Sequence, residues 1–171
     1  MNRDQKIVAL GASSGVIAMI LSILVIYHHW PQNLPLADMT DRLAYTLQAD
    51  AFAVLPLLVS IMPVGNNRFL SEAIDPTLHK ENLHTQINAR VIENTLQQYV
   101  LFLIATLALC PHLTVEQMRI IPVAVIVFVT ARIAFWIGYR IHPLYRAFGM
   151  AATGYLNVGL VGFALWKAIF G

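Results

Sequence analysis

The sequence has few charged residues. Eleven lysines and arginines and nine aspartates and glutamates make up 12% of its 171 residues, about half the share of a typical soluble domain. The formal net charge is only +2 and no basic run occurs, which argues against nucleic-acid binding. The single cysteine, Cys110, excludes an intrachain disulfide and a multi-cysteine metal site. We therefore expect no metal ion.

Hydrophobic residues, by contrast, make up 58% of the chain. A bilayer-spanning helix needs roughly 20 of them in succession. Five stretches have this character, at residues 7–27, 44–64, 90–110, 120–139 and 147–166. The sequence thus predicts an all-α integral membrane helical bundle.

The first of these stretches could also be a signal peptide, and the second is interrupted by polar residues and prolines. The first follows Arg3 and Lys6, as a signal peptide would, but its apolar run exceeds the roughly 7–15 residues of a signal core. We expect it to span the membrane. The second contains Asp50, Pro56 and Pro63, and membrane helices tolerate such prolines as kinks.

Basic residues are distributed unevenly between the two sides of the predicted bundle. Seven lie on the side of the amino terminus: Arg3, Lys6, Arg68, Lys80, Arg90, Arg140 and Arg146. Three lie on the other side: Arg42, Arg119 and Lys167. Cytoplasmic loops are enriched in lysine and arginine, so the amino terminus is predicted to face the cytoplasm.

Several polar residues fall within the predicted spans. Arg90, Asn94 and Gln97 are spaced i, i+4 and i+7, so they share one helical face, with Glu93 beside them. An arginine at membrane depth costs at least about 2.5 kcal/mol on insertion scales. We therefore expect Arg132 to face the bundle interior or a wet cavity, with Glu93 or another polar group of the third span as its partner.

Spacing alone leaves two interpretations of these polar groups open. They are either contacts that hold helices together or the lining of a cytoplasm-facing anion pocket. The pocket would contain Arg90, Arg132, Arg146 and the hydroxyl of Tyr139, which shares a helical face with Arg132. In the last span, close helix approach is expected at four glycines: Gly149, Gly154, Gly159 and Gly162.

Three short motifs resemble one known family. They are Arg90-x-x-x-Asn94-x-x-Gln97-x-x-x-x-Phe102, Arg132-x-x-Phe135-x-x-x-Tyr139 and Arg146-x-Phe148-Gly149. Together they resemble the membrane-associated proteins in eicosanoid and glutathione metabolism, the MAPEG family, which includes microsomal glutathione transferases. The resemblance implies a four-helix membrane domain at residues 44–171, assembled as a homotrimer, with residues 1–43 as an additional amino-terminal transmembrane helix and loop.

The resemblance also implies a ligand and its contacts. Glutathione, as cosubstrate, would bind between adjacent subunits near the cytosolic face. Its binding residues in this sequence would be Arg68, Arg90, Asn94, Gln97, Arg132, Tyr139 and Arg146. Arg146 would stabilise the thiolate and Tyr139 would donate a hydrogen bond, so these two are the expected catalytic residues.

Three positions depart from the family pattern. Gln97 stands where the family usually has glutamate, Phe135 where some members have histidine, and Met150 where some eicosanoid enzymes have tyrosine. A specific eicosanoid synthase is therefore not expected.

The expected function is a glutathione-dependent membrane transferase or peroxidase. A cation within about 4–6 Å lowers a pKa by about 1–3 units, and a fall of about two units from the ordinary thiol value makes the thiolate the main species at neutral pH. Lipophilic electrophiles or lipid hydroperoxides would arrive from the bilayer, along an apolar wall of Phe102, Phe135, Trp136 and Phe148. The alternatives are a non-catalytic membrane protein on the same scaffold, which binds lipid or regulates a partner, and a small transporter. The absence of an inverted repeat argues against the transporter.

Overall fold

The computed structural model of the chain describes residues 1–170, except residues 33, 35 and 79, and its described part contains helices and no strand. Six α-helices follow one another: α1 (Arg3–His29), α2 (Met39–Ala53), α3 (Leu55–Phe69), α4 (Leu83–Leu109), α5 (Ile120–Ile141) and α6 (Ala147–Phe170). Short 3-10 turns occupy Glu72–Ile74, Pro76–Leu78, Cys110–His112 and Gln117–Arg119. With α2 and α3 taken together, five helical segments are long and apolar enough to cross a bilayer. The all-α prediction with five such segments is confirmed.

Polar caps extend the helices beyond the predicted apolar stretches. The side chain of Asn2 accepts the backbone N–H of Gln5 at 2.8 Å, so α1 begins at Arg3. The side chain of Asn82 accepts the N–H of Thr85 at 2.9 Å, so α4 begins at Leu83 rather than at residue 90. Such caps satisfy backbone donors that have no partner inside the helix.

The predicted second span is divided into two helices. α2 ends at Ala53 and α3 begins at Leu55. Pro56 lies in the first turn of α3, and proline has no N–H to donate to the carbonyl four residues earlier, so the helical ladder is interrupted there. Pro63 lies inside α3 without ending it. The expected kink is therefore a break at the first proline only.

α5 lies at the centre of the bundle and contacts every other α-helix. Its buried face includes Ile121 and Phe128, and the ring of Phe128 lies 4.6 Å from that of Phe102 in α4. The outward faces are apolar as well, with exposed side chains such as Leu10 and Leu24. A protein with an apolar interior and an apolar exterior suits a hydrocarbon environment.

Close backbone packing joins α5 to α6 at one glycine. A Cβ atom at Gly149 would overlap the carbonyl oxygen of Ala131 and lie 2.7 Å from the Cα of Phe135. Among the described residues of this chain, no atom of another helix lies within 4 Å of the corresponding positions at Gly154, Gly159 and Gly162. Close approach within the chain is thus confirmed for Gly149 and not seen for the other three glycines.

Candidate functional site

A polar cavity of about 450 Å³ lies where α5 ends and α6 begins, beside the first half of α4. We call this cavity the polar pocket. Its lining residues are Val8, Arg90, Glu93, Asn94, Gln97, Phe135, Tyr139, Pro143, Leu144, Arg146, Ala147 and Met150.

Five of the seven residues proposed from the sequence meet in the polar pocket. They are Arg90, Asn94, Gln97, Tyr139 and Arg146. The α4 residues do so because the i, i+4, i+7 spacing puts them on one face of a continuous helix. Tyr139 and Arg146 are brought in by the short connection between α5 and α6, which reverses the chain within five residues, 142–146.

Arg146 and Tyr139 form a polar pair in the pocket. The Nη1 of Arg146 donates a hydrogen bond to the phenol oxygen of Tyr139 at 3.1 Å. The ring of Tyr139 lies edge-on to that of Phe135, with 5.8 Å between their centroids. Because the phenol oxygen accepts from the guanidinium, its own O–H is available to donate to a ligand.

Glu93 is a pocket residue that the sequence argument assigned to a different role. It was one of the expected partners of Arg132, but its Oε2 lies 3.3 Å from Nη1 of Arg90. Both side chains are more than half exposed, and exposed ion pairs of this kind contribute little stability. The i, i+3 spacing of the two residues is the signal that could have identified the pair.

Asn94 contributes an unsatisfied acceptor. Its Oδ1 atom is buried and has no hydrogen-bond partner among the described residues. Most buried polar atoms in proteins have a partner, and one without invites an explanation. Since Asn94 lines the polar pocket, a ligand N–H group is a fitting partner.

Arg132 faces the bundle interior, as expected, but it does not line the polar pocket. It is 1% exposed, and its Nη2 and Nη1 donate to the hydroxyls of Thr95 at 2.8 Å and Thr153 at 3.2 Å. Its guanidinium lies 4.0 Å from the ring centroid of Phe135, which separates it from the cavity. Of the two expected kinds of partner, Glu93 is wrong and another polar group of the third span is confirmed, since Thr95 lies in that span. Thr153 of α6 is a second partner that was not expected.

Arg68 is also absent from the pocket lining. Its Nε donates to Oε1 of Glu81 at 2.8 Å. Arg68 lies in the last turn of α3, and Glu81 directly precedes the cap of α4. The bond therefore joins the end of α3 to the start of α4. Arg68 thus lies outside the polar pocket of this chain, and its contact with a ligand stays a prediction.

An apolar groove of about 680 Å³ runs between α4 and α6 and shares Met150 with the polar pocket. Its lining residues are Gln98, Leu101, Met150, Ala151, Gly154, Tyr155, Asn157, Val158, Val161, Gly162 and Leu165. Of the four aromatic residues expected to form the apolar wall, only Phe135 lines the polar pocket. Phe102 lies in the core, and the Nε1 of Trp136 donates to Oδ1 of Asn88 at 2.9 Å.

Comparison with known proteins leads away from the MAPEG family. The chain is 23% identical to Transmembrane protein 79 of Mus musculus over 150 residues and 23% identical to that of Bos taurus over 142 residues. These alignments cover 85% and 82% of this chain but only 38% and 35% of the relatives, so the chain spans little more than a third of their length. No family model matches the chain, and no solved structure does.

The MAPEG assignment is therefore wrong. The relatives have a different name and no MAPEG model matches. The motifs that suggested it are a few polar residues at helical spacing, and any membrane helix with one polar face can have such spacing. The names of the relatives and the apolar helices agree on an integral membrane protein.

Proposed function

We propose that the chain binds glutathione in the polar pocket and acts as a glutathione-dependent transferase or peroxidase on lipophilic molecules. The observation that carries the proposal is the meeting of Arg90, Glu93, Tyr139 and Arg146 in one cavity. The proposal rests on the chemistry of this cavity and needs no family membership.

The polar pocket has charges of both signs, as glutathione does. The tripeptide has two carboxylates, one ammonium group and a thiol. With Arg146 at the sulfur, Arg90 offers a guanidinium to one carboxylate, and Glu93 offers a carboxylate to the ammonium group. Glu93 thereby supplies the negative charge that Gln97 lacks. The buried Oδ1 of Asn94 can accept a peptide N–H of the ligand.

The pair of Arg146 and Tyr139 suits a thiolate. The guanidinium supplies positive charge, and the phenol O–H, free to donate, supplies a hydrogen bond to the sulfur. Both favour the ionised form of the thiol. We therefore assign the catalytic role to these two residues, as electrostatic stabiliser and as hydrogen-bond donor.

The chemical step follows from a bound thiolate. With an electrophile, sulfur forms a bond to carbon and the leaving group departs with its electron pair. With a lipid hydroperoxide, sulfur attacks the terminal oxygen and the O–O bond breaks. Protonation releases the alcohol, and the resulting sulfenic acid reacts with a second glutathione thiol to give glutathione disulfide and water.

The second substrate would lie in the apolar groove, which meets the polar pocket at Met150. A lipophilic molecule enters such a groove from the bilayer. The excess of basic residues on the amino-terminal side supports a pocket that faces the cytoplasm. The homotrimer stays a prediction, which native mass spectrometry in detergent measures.

The same continuity of groove and pocket favours a second candidate function. An anionic lipid could place its head group on the arginines and its acyl chain in the groove, without any catalysis. In that case an anionic lipid should copurify with the protein, and glutathione should not displace it.

Calorimetric titration of the purified protein with glutathione, followed by conjugation of a generic aromatic electrophile, tests the first candidate. Binding and turnover are expected for the wild-type chain. The Arg140→Ala variant is the matched control, because Arg140 belongs to the same end of α5 but does not line the pocket. Absence of both binding and turnover would reject the proposal.

A further inference from the structure

The amino-terminal helix contributes one residue to the polar pocket. Val8 of α1 lines the cavity together with Arg146 of the α5–α6 connection and with Ala147 and Met150 of α6. Much of the remaining surface of α1 is apolar and exposed, as at Leu10. Val8 is therefore the point at which α1 meets the proposed site.

Two glycines bring α1 directly against the start of α6. A Cβ atom at Gly15 would overlap the carbonyl oxygen of Phe148 and lie 2.9 Å from its carbonyl carbon. A Cβ atom at Gly11 would lie 3.3 Å from the Cβ of Ala147. Because backbone atoms of α6 cannot move aside as a flexible side chain can, a larger residue at Gly15 must push α1 away.

The position of Val8 follows from this contact. Val8, Gly11 and Gly15 are spaced i, i+3 and i+7, so they share one face of α1. Gly11 faces Ala147 and Gly15 faces Phe148, so the two helices run in the same direction. One turn before Gly11, Val8 is level with the first residues of α6 and with Arg146.

We propose that α1 sets the size of the polar pocket and that Val8 is the residue that determines which groups fit beside Arg146. The inference rests on the proposed function, in which Arg146 stabilises the glutathione sulfur. A group attached to that sulfur then lies next to Val8. The branched side chain of Val8 has a restricted rotamer choice, so it forms a firm wall that limits the bulk of the electrophile.

Binding of glutathione and S-hexylglutathione tests this role by calorimetry. Val8→Ala should improve binding of S-hexylglutathione relative to glutathione by roughly fivefold, because the two methyl groups of Val8 no longer occupy space at the edge of the cavity. Val8→Trp should weaken binding of both ligands by at least about tenfold, since the larger ring overfills the cavity. Leu10→Trp, on an exposed face of the same helix, should leave both affinities unchanged.

The outcomes separate the inference from the proposed function. Glutathione binding that is the same in wild type, Val8→Ala and Val8→Trp, with no change in ligand preference, overturns the role of Val8 and leaves the proposed function standing. Absence of glutathione binding in the wild-type chain rejects the proposed function and the inference together.

Disulfide cross-linking examines the position of α1 without any ligand. With Cys110→Ala as background, Gly11→Cys and Ala147→Cys should form a bond on oxidation, because the 3.3 Å separation is close to the usual Cβ distance of about 3.5–4.5 Å. Mobility on a non-reducing gel should indicate an intrachain link. A link that forms only between chains would mean that α1 covers the pocket of a neighbour, and would overturn the inference.

A pair of glycine variants completes the test. Gly15→Leu should prevent the cross-link and weaken glutathione binding, because it displaces α1. Gly159→Leu adds the same side chain where no atom lies within 4 Å, and both measurements should stay at the wild-type level. Equal effects of the two substitutions would contradict the proposed wall.

Discussion

Arg146 donates a hydrogen bond from Nη1 to the phenol oxygen of Tyr139, across the short connection between α5 and α6, at 3.1 Å. The two residues are seven positions apart in sequence: Tyr139 lies in α5, and Arg146 is the last residue of the connection before α6. Their contact places a guanidinium and a hydroxyl at the same point of the polar pocket. The proposed thiolate chemistry depends on this pair.

Asn94→Ala should reduce glutathione affinity by about tenfold, because Asn94 lines the polar pocket and its Oδ1 atom has no partner among the described residues. The unfolding temperature of the ligand-free protein should change little, since no described bond to that atom is lost. Calorimetry and thermal unfolding in detergent measure the two effects. Asn88→Ala should lower the unfolding temperature and leave glutathione affinity unchanged, because it breaks the 2.9 Å bond to Trp136 outside the pocket.

Thr95→Val should destabilise the fold by about 1–3 kcal/mol, because it removes the acceptor 2.8 Å from the buried Nη2 of Arg132. Thermal unfolding in detergent measures this cost. Thr130→Val is the matched control, since the Thr130 hydroxyl donates only to carbonyls of its own helix. Equal losses in the two variants would indicate that the contact with Arg132 contributes nothing special.

Arg68→Ala should leave glutathione affinity within about twofold of the wild-type value. The side chain of Arg68 pairs with Glu81 and does not line the polar pocket. A partly exposed ion pair contributes at most about 1 kcal/mol, so the stability change should also be small. A large loss of affinity would instead support the sequence expectation that Arg68 reaches the ligand.

The sequence predicted the parts of the site that depend on local periodicity. Arg90, Asn94 and Gln97 share a face because a continuous helix repeats every 3.6 residues. Tyr139 and Arg146 meet because a very short connection forces α5 and α6 to be neighbours. Both facts can be deduced from spacing.

Partner choice could not be deduced in this way. Arg132 finds Thr153 in α6, and Arg68 finds Glu81 just before α4. Such pairs depend on how whole helices are rotated against each other, and the position of Val8 beside α6 depends on it as well. The break between α2 and α3 was not predicted. A kink was expected at each of Pro56 and Pro63, but only Pro56 interrupts the helix.

The ultraviolet absorbance of the thiolate tests the central claim most directly. On addition of glutathione at neutral pH, the wild-type protein should show thiolate absorbance that S-methylglutathione, which has no ionisable thiol, does not produce. Tyr139→Phe should reduce this absorbance, Arg146→Ala should abolish it, and Arg140→Ala should leave it intact. Absence of the signal in the wild-type protein, or its full retention in Arg146→Ala, would contradict the proposed stabilisation of a thiolate by Arg146.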